Sequence, residues 1–150
     1  MVNSKYFPTL VSGFAAGVLT TVPHIKSLSC CILVPAAVVF ALYADKRISG
    51  SKSPIVLKRA LMFGLMTGLF TTLFGTAFDV LITFITRQNE FVSAYPDVLK
   101  MLGEMQFFPK GDASYKEALD ILEQTRNEIV ETGFSLFYTF MMFINNLIFY

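Results

Sequence analysis

Asp79 is the sharpest chemical feature of the sequence, an acid set inside the apolar run 60–86. In lipid such a group is costly, and it usually faces a bundle interior or a water-filled path. Its chemistry would be proton or cation binding, or a polar contact that positions a helix. His24, Lys26, Ser135 and Tyr138 fall at the same level if the apolar runs are helices, and any of them could satisfy it. No second acid inside an apolar run completes a relay, which counts against a pump. Asn145 and Asn146 lie in the last apolar run. They could line a pore in an oligomer, but hydrogen bonding across helices is the usual use of Asn in lipid.

Cys30 and Cys31 form a vicinal pair near the start of the second apolar run. Adjacent positions on a helix diverge by about 100°, and a bridge between them is strained. The pair reads first as two small apolar packing residues. Its second reading is a thiol function at an oxidising outer face. The layout invites comparison with the disulfide-generating membrane protein family, but that family's C-x-x-C pattern and second external pair are missing. One His and two Cys cannot build a zinc site within one chain. There is no G-x-x-x-x-G-K-[ST] phosphate loop, no H-E-x-x-H and no G-x-S-x-G elbow. No catalytic residues, metal or cofactor are therefore expected.

The elements that must position these residues follow from composition. Hydrophobic residues make up 54% of the 150 and charged residues 15%, with sixteen Phe and no Trp. Soluble domains carry about 25% charge, and the mean hydropathy here is +0.58. The pattern predicts an all-α integral membrane protein, a single membrane domain over 1–150. Its spans fall at about 7–22, 28–44, 60–86 and 132–150. Pro23 lies in the short break between the first two, which permits a helical hairpin. Pro35 lies inside the second and should bend it. A cleaved secretion signal is the alternative reading of the first run, but no small-x-small site follows it.

Basic residues orient the chain. The loop after the second span holds Lys46, Arg47, Lys52, Lys58 and Arg59 against Asp45 alone, whereas 87–131 holds five basic and nine acidic residues. The first should be cytoplasmic and the second external, with both termini cytoplasmic. The net charge of +1 and this one short basic loop predict contact with anionic lipid rather than nucleic acid.

The external region reads as a helical hairpin between the third and fourth spans. Pro96-Asp97 is a helix-start signal, followed by Val98, Leu99, Met101, Leu102 and Met105. Residues 107–112 make a turn, and Ser114-x-x-Glu117 reads as a capping box. Tyr115, Ala118, Leu119, Leu122 and Ile129 then form one apolar stripe. The second helix could run straight into the fourth span, with Gly133 as its weak point. Gly13-x-x-x-Gly17 and Gly64-x-x-x-Gly68, with Gly75 seven beyond, predict close helix packing, between spans one and three or between two copies.

The opening GFAAGVLTTVPHIKSLSCCILVPAAVVFALYADKR resembles an arrangement in uncharacterised small bacterial four-helix inner-membrane proteins, a domain of unknown function. In these a Gly/Ala-rich helical hairpin turns near a Pro and a Cys-Cys pair begins the second helix. The likeness covers about residues 1–47 and implies the bacterial inner membrane and no assigned activity. Such proteins continue into a polar tail, so an apolar end at Tyr150 implies a shortened last helix. The expected protein is a non-enzymatic accessory or scaffold subunit. Its partners would be the lipid bilayer and a homo-oligomer or a larger membrane complex. A small oligomeric channel or transporter using Asp79 and Asn145/Asn146 is the second expectation, and a thiol oxidoreductase using Cys30/Cys31 the third.

Overall fold

The computed structural model describes residues 6–22, 29–50, 55–104 and 113–150. Among these the protein is all α, with six helices and one π-helical turn. Helix α1 spans Phe7–Thr20 and carries Pro8 in its first turn, where a missing N–H costs nothing. A π-helical turn, Ser29–Leu33, leads into α2, Val34–Ser49. Helix α3 is Leu57–Thr86, α4 is Glu90–Glu104, α5 is Ala113–Thr132 and α6 is Leu136–Phe149.

Three expectations need correction. Pro35 sits in the first turn of α2, directly after the π turn, so the wide turn absorbs its missing hydrogen bond before the helix begins. Helix α2 runs to Ser49, past the charged residues 45–47, and so outlasts the apolar run 28–44 without contradicting it. Hydropathy marks where a helix could leave lipid, and Lys and Arg are good helix formers that continue the coil beyond that point. Helix α4 starts at Glu90 and contains Pro96 in its interior. The signal missed there is Asn89, whose Oδ1 accepts the Val92 amide at 2.9 Å and caps the helix. Helix α5 begins at Ala113, so Ser114 lies in its first turn instead of ahead of it.

The fourth apolar run does not begin its helix at 132. Residues 133–135 break the coil, and α5 and α6 meet at 103°. Gly133 has φ +78°, a conformation in which L side chains are strained. Its amide still closes on the Ile129 carbonyl at 2.9 Å. The Thr132 hydroxyl then donates to the Phe134 carbonyl at 2.8 Å, so side-chain bonding continues through the break.

Among the described residues one helix, Leu57–Thr86, is long and apolar enough to cross a membrane. Its 30 residues extend about 45 Å at about 1.5 Å per residue. The bent pair α5–α6 makes a second if it counts as one broken span. Helix α1 is apolar but has 14 residues, about 21 Å.

Two compact units are present, Met1–Asp79 with Met141–Tyr150, and Val80–Phe140. In the first, α1 packs on α2 and also on α3. A Cβ placed on Gly13 would lie 2.5 Å from Phe70 Cβ and 3.0 Å from the Thr67 carbonyl oxygen. One on Gly17 would lie 2.8 Å from Phe74 Cβ and 2.9 Å from the Gly75 nitrogen. The backbones approach because those side chains are missing. Phe14 meets Phe74 and Phe78 edge-on, at 5.1 and 5.8 Å between ring centres. Asp45 of α2 pairs with Arg59 of α3, and that guanidinium lies 5.9 Å from the Phe63 ring centre.

In the second unit α4 packs on α5. Phe91 contacts Tyr95 and Tyr138, and Arg126 lies 5.3 Å from the Tyr95 ring centre. Ile129 is fully buried, and Tyr115, Ala118, Leu119 and Leu122 are half-buried along the same stripe. Arg87, at φ 57°, places its guanidinium over the Phe84 ring and donates to the Glu131 carbonyl.

The buried set is the reverse of an ordinary core. Thr9, Ser12, Thr20, Thr67, Thr71, Thr72, Thr76 and Asn146 are buried. Leu65 is 73% exposed and Ile148 74%. Phe7, Phe14, Val39, Phe40, Leu61, Leu73 and Phe140 are also exposed. In water, apolar side chains of this size are usually buried and Thr and Ser mostly exposed.

Candidate functional site

The buried polar residues form a ladder along α3. In an α-helix a Thr hydroxyl can return its proton to the carbonyl one turn back, which lets it be buried without a partner on another helix. Thr71 does this to Thr67 at 2.8 Å and Thr20 does it to Gly17 at 2.7 Å. Two rungs instead reach a second helix. Thr72 Oγ1 donates to the Asn146 carbonyl at 3.3 Å, and Asn146 Nδ2 donates to Thr76 Oγ1 at 3.1 Å. Asn146 is thereby a cross-helix clasp, while Asn145 beside it is exposed. Ser12 Oγ and Thr67 Oγ1 are buried without a hydrogen-bond partner.

Among the other sequence candidates, Asp79 is half-buried on α3 and closes the first unit. Gly64 lies 3.9 Å, from its ideal Cβ position, to Val38 of α2. On Gly68 a Cβ would sit 2.6 Å from the Tyr150 carbonyl oxygen, and on Gly75 it would sit 2.9 Å from Thr20 Oγ1. The two glycines of 64-x-x-x-68 therefore serve different neighbours. Tyr138 is half-buried and meets Phe91 in a tilted arrangement, 5.6 Å between ring centres. Cys31 is exposed on the π turn. His24, the Pro23 turn, Met105 and the turn at 107–112 lie outside the described residues, as does the side chain of Cys30. Among the described residues, no group of three His, Cys, Asp or Glu could hold a metal ion.

A cleft of about 210 Å³ opens between α1 and α2, lined by Ser12, Ala15, Ala16, Leu33, Ala36 and Phe40. A second groove lies at the bend between α5 and α6. Its volume is about 490 Å³ and it is lined by Glu128, Leu136, Phe137 and Phe140. A neighbouring hollow of about 200 Å³ shares Glu128 and Phe137. The Ser135 hydroxyl and the Gln124 amide both bond the Glu128 carboxylate and hold its pKa below the ordinary value. The Gln124 contact is 2.9 Å. Sequence reasoning passed over Glu128 because a carboxylate on an amphipathic helix is usually a solvated one. Its partner Ser135 becomes adjacent only through the bend.

Compared with protein families, curated proteins and solved structures, the chain matches none.

Proposed function

We propose that this chain is an integral membrane protein that acts as a non-enzymatic scaffold or accessory subunit. The observation that carries this reading is the reversed burial. Most of the buried residues are small or hydroxyl-bearing, while most of the Leu, Ile, Val and Phe side chains, Val34, Phe63 and Ile129 apart, are not buried. Lipid removes the hydrophobic drive between helices, so interfaces in lipid select small residues and interhelical hydrogen bonds. The Gly13 and Gly17 contacts and the Thr72–Asn146–Thr76 clasp are of that kind.

On this reading four segments cross the inner, plasma membrane. They are α1, α2 with its π turn, α3 and α6. Helix α3 spans with tilt and emerges from the hydrocarbon, and the shorter α1 crosses with local thinning of the bilayer. Both termini are cytoplasmic and 87–131 is external on this reading, and the basic loop after the second span supports that orientation. The apolar faces that remain exposed take either lipid, a second copy or a larger membrane complex. The engagement of Asn146 with Thr76 supports packing over pore lining.

Extraction tests the first step. The chain should remain with membranes in alkaline carbonate and leave them only with detergent. A monodisperse chain without amphiphile overturns the reading. Reporters fused at the C-terminus and near Gly111 should fall on opposite sides, and a cytoplasmic Gly111 overturns the orientation. Purification in mild detergent should then bring down a larger complex in fixed stoichiometry. Ion flux through liposomes holding the chain alone would favour a channel instead.

A further inference from the structure

The elbow between α5 and α6 brings one carboxylate to an apolar groove. Glu128 lines that groove with Leu136, Phe137 and Phe140, and all three apolar side chains are exposed. The negative end of α5 and the positive end of α6 meet at the bend, so the helix dipoles oppose each other there and the carboxylate decides the sign. Its charge is held by the neutral donors Ser135 and Gln124. Among the described residues no basic group pairs with it. The Arg87 guanidinium is engaged with the Glu131 carbonyl and the Phe84 ring. Arg126 lies against Tyr95 and Asn127.

A carboxylate has about four lone-pair sites, and the Gln124 amide occupies one of them at 2.9 Å. The remaining sites suit a donor with several N–H groups. Two aromatic side chains line the same groove, and an aromatic ring attracts a cation over its face when water is excluded. The groove, at about 490 Å³, is within the size of small-molecule sites, and apart from Glu128 its lining is apolar. The complementary ligand is a primary ammonium attached to an apolar body.

We propose that this elbow binds a phospholipid with a primary-ammonium headgroup, with Glu128 as counter-ion and Phe137 and Phe140 against its glycerol and acyl part. The site rests on the membrane reading above, which puts the start of α6 at the lipid boundary.

The probes are short-chain phosphatidylethanolamine and phosphatidylglycerol with identical chains, kept below their micelle concentrations. Native mass spectrometry of the full chain in mild detergent counts the lipid retained. The wild type should favour phosphatidylethanolamine by about fivefold, the effect of a partly exposed charge pair. Glu128→Gln should bring the ratio near one, through lower phosphatidylethanolamine retention and equal or higher phosphatidylglycerol retention, and Glu128→Asp should keep a preference. Unchanged helical circular dichroism certifies the fold of each variant. A wild-type ratio of one, or a Glu128→Gln ratio equal to wild type, overturns the site. Phosphatidylcholine is the further arm, and retention equal to phosphatidylethanolamine overturns the primary-ammonium assignment. Because the probes are monomeric in water, the titration also runs without detergent. A chain that is dispersed there and keeps the preference overturns the membrane reading alone. A detergent-dependent chain with a ratio of one overturns the site alone.

Discussion

In the unit of Met1–Asp79 with Met141–Tyr150, helices meet where side chains are missing or short. Gly13 and Gly17 admit the backbone of α3, and hydroxyls return to their own helix. In Val80–Phe140 the contacts are different. Phe91 packs on two tyrosines, a guanidinium covers a ring, and an amphipathic stripe on α5 turns one buried Ile inward. The first arrangement gains its energy from close approach, which dispersion rewards in any solvent. The second uses the aromatic and amphipathic contacts of proteins in water. One chain therefore follows two packing regimes, and its continuous helices α3 and α6 contribute to both.

The sharpest way to break that contrast is at Gly133. A Cβ there would meet the Phe84 Cα and carbonyl oxygen, both at 2.8 Å, at a positive φ. Gly133→Val should therefore cost more than the roughly 1–3 kcal/mol of backbone strain alone, and thermal unfolding in detergent should fall accordingly. An unchanged midpoint would mean that the bend is not held by this residue. Gly17→Leu is next. It forces α1 away from Phe74 and Gly75, and overpacking of this kind costs about 1–3 kcal/mol. Limited proteolysis should then expose the first unit while α4 and α5 stay protected. Equal loss of protection in both units would erase the distinction between them.

Asn146→Leu should have a smaller effect, about 0.6–2 kcal/mol, the range for interhelical hydrogen bonds in lipid. Thr76→Val should reproduce it, and the double variant should cost less than the sum, since both remove the same bond. Full additivity would show that the clasp contributes nothing. The smallest effect belongs to Glu128. Its folded pKa is depressed by Ser135 and then Gln124, so its contribution is complete above its ordinary value of 4.5 and is lost as pH falls through the lowered one. Ser135→Ala should flatten that acid limb of the stability profile, and an unchanged limb would assign it to another group.

Much of the helical content was legible in order. The third apolar run appears as α3 because 60–86 is apolar over more than six turns, and α5 because its stripe repeats at helical spacing. The errors cluster at ends. Pro96 signals a start in the sequence because Pro favours first turns, yet Asn89 caps earlier and the helix tolerates one missing bond. The fourth run was placed from hydropathy, which is indifferent to a dihedral angle, so Gly133 could be seen as weak but not as a 103° bend. The candidate site was legible only by residue type. Asn146 was marked as polar in an apolar run, but nothing local distinguished it from Asn145.

By itself the amino-acid order determined the secondary-structure class, the one long apolar run that forms α3 and which glycines could admit a neighbour. These are properties of composition and period, and they need no long-range contact. Tertiary structure alone decided that Gly64 meets Val38 of α2 while Gly68 meets Tyr150, and that Asn146 reaches Thr76. Each of those depends on which face of a helix turns toward which neighbour. A helical period specifies the face but leaves its partner to be chosen by close packing between helices.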